Sequence, residues 1–177
     1  MRVVAGRYGG RRLLAPAGGA TRPTSDRVRE ALFSVLGASV PGAHVLDLYA
    51  GSGALGIEAL SRGAASAVFV DRSARAIAAI RANLDALGIE AEVLRMEARA
   101  ALRTARGRAD AYDLVFLDPP YRRAAELGRE LSEALSAVLA PGARVVSESD
   151  RREPLALALP LADERRYGDT VIRIHDT

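Results

Sequence analysis

The chain has no cysteine and no lysine, and only two histidines, His44 and His175, among its 177 residues. Without cysteine there is no disulfide, no thiolate-held zinc and no thiol nucleophile. Two histidines are too few for a histidine-based metal site, so no metal is expected. No apolar run approaches the roughly 18 residues that a membrane helix needs. The segment from Met1 to Arg7 lacks the apolar core of a signal peptide. These absences lead to the expectation of a soluble, cytoplasmic protein. Since lysine is missing, all 25 basic residues are arginine.

What is present is globular. Hydrophobic residues make up 49% and charged residues 27%, enough apolar content for a real core in one domain, with room for a small appendage. The charge is uneven. The first thirty residues carry Arg2, Arg7, Arg11, Arg12, Arg22, Arg27 and Arg29 against only Asp26 and Glu30. The remainder is slightly acidic. A basic arm on a near-neutral body suits a polyanionic partner, although solvated surface arginines would look the same. Arg22, Arg27 and Arg29 could equally form helix-surface ion pairs with Asp26 and Glu30.

Short β-like pieces at residues 2–4 and 12–14 surround Gly6, Gly9 and Gly10, and a Gly-Pro-rich stretch runs from Ala15 to Pro23. This predicts an N-terminal hairpin and linker over 1–23, followed by the main domain over 24–177. Thr24, Ser25 and Asp26 offer caps for a helix that ends near Gly37. From His44 the pattern alternates. Strands are expected at 44–48, 67–70, 91–94, 112–117 and 143–149. Helices are expected at 54–62, 73–87 and 124–139. Apolar strands alternating with helices predict an α/β fold, a parallel sheet covered on both faces. Leu157-Ala158-Leu159 and 164–167 look strand-like, and Gly168-Asp169 turns into a last strand at 170–175. The sheet therefore ends in an antiparallel hairpin.

Two stretches carry chemistry. Asp47-Leu48-Tyr49-Ala50-Gly51-Ser52-Gly53-Ala54-Leu55-Gly56 leaves the first strong strand and opens a helix. Glycines there let backbone N–H groups approach a ligand. Asp71 ends the next strand, where a ribose diol would lie. Gly51, Gly53 and Gly56 also satisfy the spacing of a dinucleotide site. Asp47 argues against it, because a carboxylate before the loop repels pyrophosphate but suits an ammonium or sulfonium. S-adenosylmethionine carries both and has no phosphate. A glycine turn needed only for packing is the plain alternative.

The second stretch is Asp118-Pro119-Pro120-Tyr121, after the strand 112–117. Ligands of open α/β sheets bind beyond the carboxyl ends of the strands, so Asp118 shares an edge with Asp47, Gly51 and Asp71. Two prolines stiffen the backbone. The Asp118 carboxylate and the Pro119 carbonyl become neighbouring acceptors for the two N–H donors of a nucleobase amine. Tyr121 can stack on the base. Such an arrangement aims the nitrogen lone pair at a sulfonium methyl. A third, weaker candidate is Met96-Glu97-Ala98, able to read an adenine edge or simply to begin a helix.

These motifs resemble those of the class I S-adenosylmethionine-dependent methyltransferases. The resemblance implies a Rossmann-like, seven-stranded sheet, with cofactor contacts at Asp47, Tyr49, Gly51, Ser52, Gly53, Asp71, Arg72, Glu97, Ala98 and Asp118. Asp118 to Tyr121 is similar to the (Asp/Asn)-Pro-Pro-(Tyr/Phe) motif of amino-nitrogen methyltransferases, which implies catalytic roles for Asp118, Pro119, Pro120 and Tyr121. Arg2 to Gly6, Gly10 to Leu13 and above all Thr21-Arg22-Pro23-Thr24-Ser25-Asp26-Arg27-Val28-Arg29-Glu30-Ala31-Leu32-Phe33 resemble the RsmD family. That family consists of bacterial 16S ribosomal RNA guanine-N2 methyltransferases. The resemblance implies one methyl transferred to a guanine of the 30S subunit, no metal, and a monomer. RNA contacts are expected at Arg2, Arg7, Arg11, Arg12 and Arg22. Ala5 and Asp71 depart mildly from relatives that carry Gly and Glu there.

Other readings remain. A DNA adenine-N6 or cytosine-N4 methyltransferase shares the catalytic motif, but little chain is left for a target-reading region. A protein glutamine-N5 methyltransferase fits the basic arm poorly. A non-catalytic RNA-binding assembly factor would not need the intact Asp118 motif. An NAD dehydrogenase lacks a candidate hydride-site acid or base.

Overall fold

The computed structural model describes residues 1–18, 25–119 and 124–177, with the side chains of all but 124–126. Two of the helices begin where a serine caps them. Ser25 Oγ accepts the Val28 N–H at 3.3 Å and opens α1 (Asp26–Leu36). Ser73 Oγ accepts the Ala76 N–H at 3.4 Å and opens α3 (Ala74–Leu87), which Gly88 ends in a left-handed conformation. Between them lie β1 (His44–Leu48), α2 (Ala54–Ser61) and β2 (Ser66–Asp71). Then come β3 (Glu92–Arg95), α4 (Ala98–Arg108), β4 (Tyr112–Leu117), α5 (Ala124–Ser136), β5 (Leu139–Asp150), β6 (Leu161–Tyr167) and β7 (Thr170–Asp176).

The seven strands form one sheet in the order β3-β2-β1-β4-β5-β7-β6. β1 to β5 are parallel, and β7 runs antiparallel to both β5 and β6. The α/β fold expected from alternation is therefore present, with the terminal hairpin inserted so that β7 lies inside and β6 takes the edge. α1, α2 and α3 bury Leu32, Phe33, Leu36, Ile57, Ile77 and Ile80 on one face. Phe33 meets Phe116 of β4 there at 5.8 Å between ring centroids. On the other face, α4 and α5 bury Leu102, Leu131 and Leu135 against Leu46, Val115 and Val145. Among the described residues no helix is long and apolar enough to cross a membrane, and none of the acidic, histidine or cysteine groupings could hold a metal ion.

Three elements differ from expectation. The stretch Leu157-Ala158-Leu159 is not a strand. It crosses α5, where the Ala158 N–H donates to Ser132 Oγ at 2.8 Å, so its alternation reflects packing on a helix, not sheet pairing. β5 begins at Leu139 rather than after Pro141-Gly142, because Leu139 pairs with Tyr112 before the register shifts to Leu114 with Arg144. α4 is an addition. Ala98, Ala101, Leu102 and Ala105 are buried at helical spacing, a pattern diluted by the charge of its other face.

The N-terminal residues form a small hairpin, with an isolated bridge from Arg2 to Arg12 and the Val3 N–H on the Arg11 carbonyl at 2.9 Å. Val3 and Leu13 enter the core. The hairpin docks on three polar side chains. Buried Glu58 of α2 accepts the N–H groups of Val4 and Ala5 at 2.7 and 3.0 Å. Ser61 Oγ accepts from Tyr8 N–H at 3.0 Å. Asn83 of α3 accepts from the Leu14 N–H at 2.7 Å and donates to the Leu14 carbonyl at 3.0 Å. Arg29, expected on the helix surface, is instead 1% exposed. Its guanidinium bonds Asp26 at 2.8 Å and the Arg2 carbonyl, and lies 3.9 Å from Glu58. The Arg29–Asp26 ion pair is real, but it is part of the hairpin's seat.

Candidate active site

In this strand order the chain leaves β1 on one side toward β2 and returns beside it as β4, which opens a crevice at the carboxyl ends of β1 and β4. The two motifs meet there. The register pairs Asp47 with Phe116 and Leu48 with Leu117. Partners in register, and residues two apart along a strand, share a sheet face. Asp47 and Asp118 therefore project to the face covered by α1, α2 and α3.

Asp47 is 2% exposed and accepts the Gly56 N–H at 2.9 Å in the first turns of α2. Burial pushes its carboxyl up to about 7, against the lowering effect of the Gly56 bond and with a further rise from Asp71. Among the described residues no arginine forms an ion pair with it, so a cationic ligand group arriving here would be favoured. Tyr49 follows with φ 64, a left-handed conformation that is rare without glycine and costs about 1–3 kcal/mol. The strain turns the chain sharply into the loop. Gly51 has φ +57, and a Cβ there would meet nothing closer than the Tyr49 carbonyl at 4.0 Å. That open space and the exposed backbone fit a cradle for a nucleoside ligand.

The other loop residues face inward. A Cβ on Gly53 would touch Phe69, Ile57 and Ile80 at 3.3–3.4 Å. Ser52 donates through Oγ to Met1 Sδ at 3.2 Å, and its carbonyl accepts from Asn83 Nδ2 at 2.9 Å. A Cβ on Gly56 would lie 2.4 Å from the buried Phe69 ring. Gly56→Ala is therefore expected to destabilise the fold by about 1–3 kcal/mol through overpacking. Urea unfolding checks this, and an unchanged midpoint would contradict the packing role.

Asp71 ends β2 with both carboxylate oxygens engaged, Oδ2 with the Gly51 N–H at 3.0 Å and Oδ1 with the Ser73 N–H at 2.8 Å. Each oxygen keeps a second lone pair for a hydroxyl. A cleft beside it is lined by Tyr49, Asp71, Arg72, Met96, Glu97 and Ala98. Arg72 and Glu97 face each other across it at 3.6 Å, both mostly exposed. Burial, then Glu97, raises the Tyr49 hydroxyl to about 12, so it remains a neutral donor. The structure thus gathers Tyr49, Asp71, Arg72, Glu97 and Ala98 into one concavity next to Gly51.

Asp118 is half-buried and Pro119 buried. Burial first, then the carboxylates of Glu148 and Asp47, hold the Asp118 carboxyl well above the usual range. Pro120 and Tyr121 lie outside the described residues, as does Arg22 with the rest of 21–24. Of the other arginines expected to meet RNA, Arg2 pairs with Asp26 at 3.3 Å and is 65% exposed. Arg11 donates to the Ala86 carbonyl at 3.1 Å, Arg7 lies 5.4 Å over the Tyr8 ring, and Arg12 is exposed. They sit together on the docked hairpin. Sequence reasoning missed Glu148. Its signal was an acidic residue inside the apolar run of β5, at the same edge as Asp118.

The family model described as conserved hypothetical protein 95 matches residues 1–176. YlbH of Bacillus subtilis is 39% identical over 99% of this chain and 98% of its own length. Ribosomal RNA small subunit methyltransferase D of Haemophilus influenzae is 34% identical over 88% of this chain and 81% of its own. The solved structure of yhhF from Escherichia coli superposes with a TM-score of 0.85 at 34% identity, covering 99% of this chain and 97% of that one. With a match along its whole length and relatives above 30% identity that span most of theirs, the chain belongs to the RsmD family of methyltransferases, the family its own motifs resemble.

Proposed function

We propose that this protein transfers a methyl group from S-adenosylmethionine to the exocyclic N2 of a guanine in 16S ribosomal RNA. The observation that carries the reading is the placement of Asp118 on the same edge and sheet face as Asp47, with the Gly51 loop leaving the same edge, in a chain whose family includes small-subunit rRNA methyltransferases. The cofactor, when bound, supplies an electrophilic methyl on a sulfonium. The N2 lone pair would take that methyl, the sulfur would keep the electron pair of the broken S–C bond and leave as a neutral thioether, and the N2 proton would pass to Asp118 or to water.

The chain's own residues bind and align. Asp47 faces the positive end of the cofactor, Gly51 lets backbone approach it, and Asp71 accepts the ribose hydroxyls. Tyr49, Arg72, Glu97 and Ala98 enclose the adenine. Asp118 and the Pro119 carbonyl accept the N2 hydrogens and turn the lone pair toward the methyl, with Pro120 stiffening the turn and Tyr121 stacking on the base. Alignment of this kind can supply on the order of 7–11 kcal/mol of a barrier. A guanine within folded RNA has to be unstacked to enter.

Residues 1–23 act in this reading as the RNA-binding appendage. Arg2, Arg7, Arg11, Arg12 and Arg22 sit on phosphates and set affinity, while the pocket chooses the base. Replacing Arg11 and Arg12 together by Ala is expected to weaken RNA binding and to shallow the log–log salt slope by about 1.4–1.8, or roughly 0.7–0.9 per lost phosphate contact. An unchanged slope would move the footprint elsewhere. The reading itself is tested by offering labelled S-adenosylmethionine with 30S subunits from a strain lacking the gene, naked 16S RNA and DNA. N2-methylguanine in the subunits or their RNA is the expected product, whereas label only in DNA or protein would sink it.

A further inference from the structure

Glu148 lies one residue beyond the pair Leu117–Ser147, so the β4–β5 register sets it directly beside Asp118. On its other side it pairs with Ile172 of β7. Register partners share a face, and Val146 and Ile172 both belong to the core under α1, α2 and α3. Glu148 therefore projects to the same face as Asp47 and Asp118, on the strand next to the catalytic motif and about 4.8 Å from it. It is buried, at 7% exposure, and close enough to raise the Asp118 carboxyl.

Two carboxyls on adjacent strands at a water-poor edge repel each other, and a ligand that brings donors between them is favoured. The Watson–Crick edge of guanine presents two donors side by side, N1–H and the N2 amine. Adenine presents an acceptor at N1, which a carboxylate repels. A carboxylate has about four lone-pair sites, so one already held by a protein group can still accept from a ligand.

We propose that Glu148 accepts the N1–H of the target guanine while Asp118 holds the N2 amine, so that Glu148 selects guanine over bases that lack a donor at N1. This inference rests on the guanine-N2 reading above and adds the residue that enforces it. Pocket groups built for a particular donor reject an analogue without it far more strongly than apolar contacts do.

The test uses 2-aminopurine, which keeps the exocyclic N2 amine but has an unprotonated N1. The methylated guanine is first mapped with the wild-type protein. RNA carrying guanine or 2-aminopurine at that position is then compared, in whichever form, naked or reconstituted into subunits, accepts methyl. Wild type is expected to prefer guanine by about a hundredfold or more in kcat/KM. Glu148→Gln offers an amide N–H to the bare N1. It should lose activity on guanine but not on 2-aminopurine, compressing the ratio at least tenfold. Glu148→Asp keeps the charge and should keep the preference at a lower rate, which separates recognition from a folding defect. Equal losses on both substrates, or a ratio unchanged in Glu148→Gln, would overturn the inference while the methyltransferase reading stands. Absence of N2-methylguanine with the wild type would overturn both.

Discussion

Asp118→Ala is expected to lower the rate of methyl transfer about a thousandfold, the scale seen when one preorganised partner of a reacting group is removed, with cofactor affinity changed by no more than a few-fold. The reason lies in the division of the site. In the proposed reading the cofactor-facing groups come from the ends of β1, β2 and β3, through Asp47, Asp71 and Glu97. Asp118 comes from β4, where the base amine would lie. Its loss removes one of two acceptors that make a conjugated nitrogen nucleophilic, without touching the ribose or adenine contacts. Asp118→Asn keeps one acceptor and should retain more activity than Ala. Calorimetric binding of S-adenosylhomocysteine together with single-turnover transfer checks both halves. Lost cofactor binding with a normal rate per bound complex would reassign Asp118 to the cofactor.

The second large effect is on stability. Glu58→Ala should destabilise the fold by about 3–5 kcal/mol, because removing one partner of a buried ion pair strands the other. Glu58 is fully buried and holds the Val4 and Ala5 N–H groups, Arg62 at 2.8 Å and the neighbourhood of Arg29. Arg29 already has two guanidinium nitrogens, Nε and Nη1, without a hydrogen-bond partner among the described residues, and Glu58 Oε2 lies 3.9 Å from Nε. For a chain of this length the loss corresponds to roughly 10 °C in Tm. The hairpin should loosen first, so RNA affinity falls before cofactor affinity does. A Tm within about 2 °C of wild type would show that Asp26 alone neutralises Arg29.

Both effects depend on residues of different legibility. Asp118 stands in a motif of four consecutive residues, and its meaning follows from position at the end of an apolar strand. The same holds for Asp47 with its glycine loop and for Asp71, twenty residues after Gly51. The parallel sheet followed from alternation, since parallel strands need helical crossovers and those crossovers fill both faces, whereas the strand order came only with the structure. The misreadings were local signals with two meanings. Period-2 alternation at 157–159 suits a strand, and equally an extended chain lying on α5. The helical spacing of α4 was hidden among its arginines.

Side chains that act across long separations left no such trace. Glu58 reaches Val4 and Ala5 over more than fifty positions, and Asn83 reaches Leu14 over sixty-nine. Read along the chain, Glu58 and Arg29 are ordinary helix-surface charges. Only folding buries them and turns them into the seat of the basic hairpin. Glu148 becomes a neighbour of Asp118 through the β4–β5 register alone. The chemistry of the site was written locally because strand ends and tight loops are built from consecutive residues. Which arginines stay on the surface, how the hairpin is held and what stands beside the catalytic carboxylate depend on contacts between distant segments, and only the tertiary fold decides those.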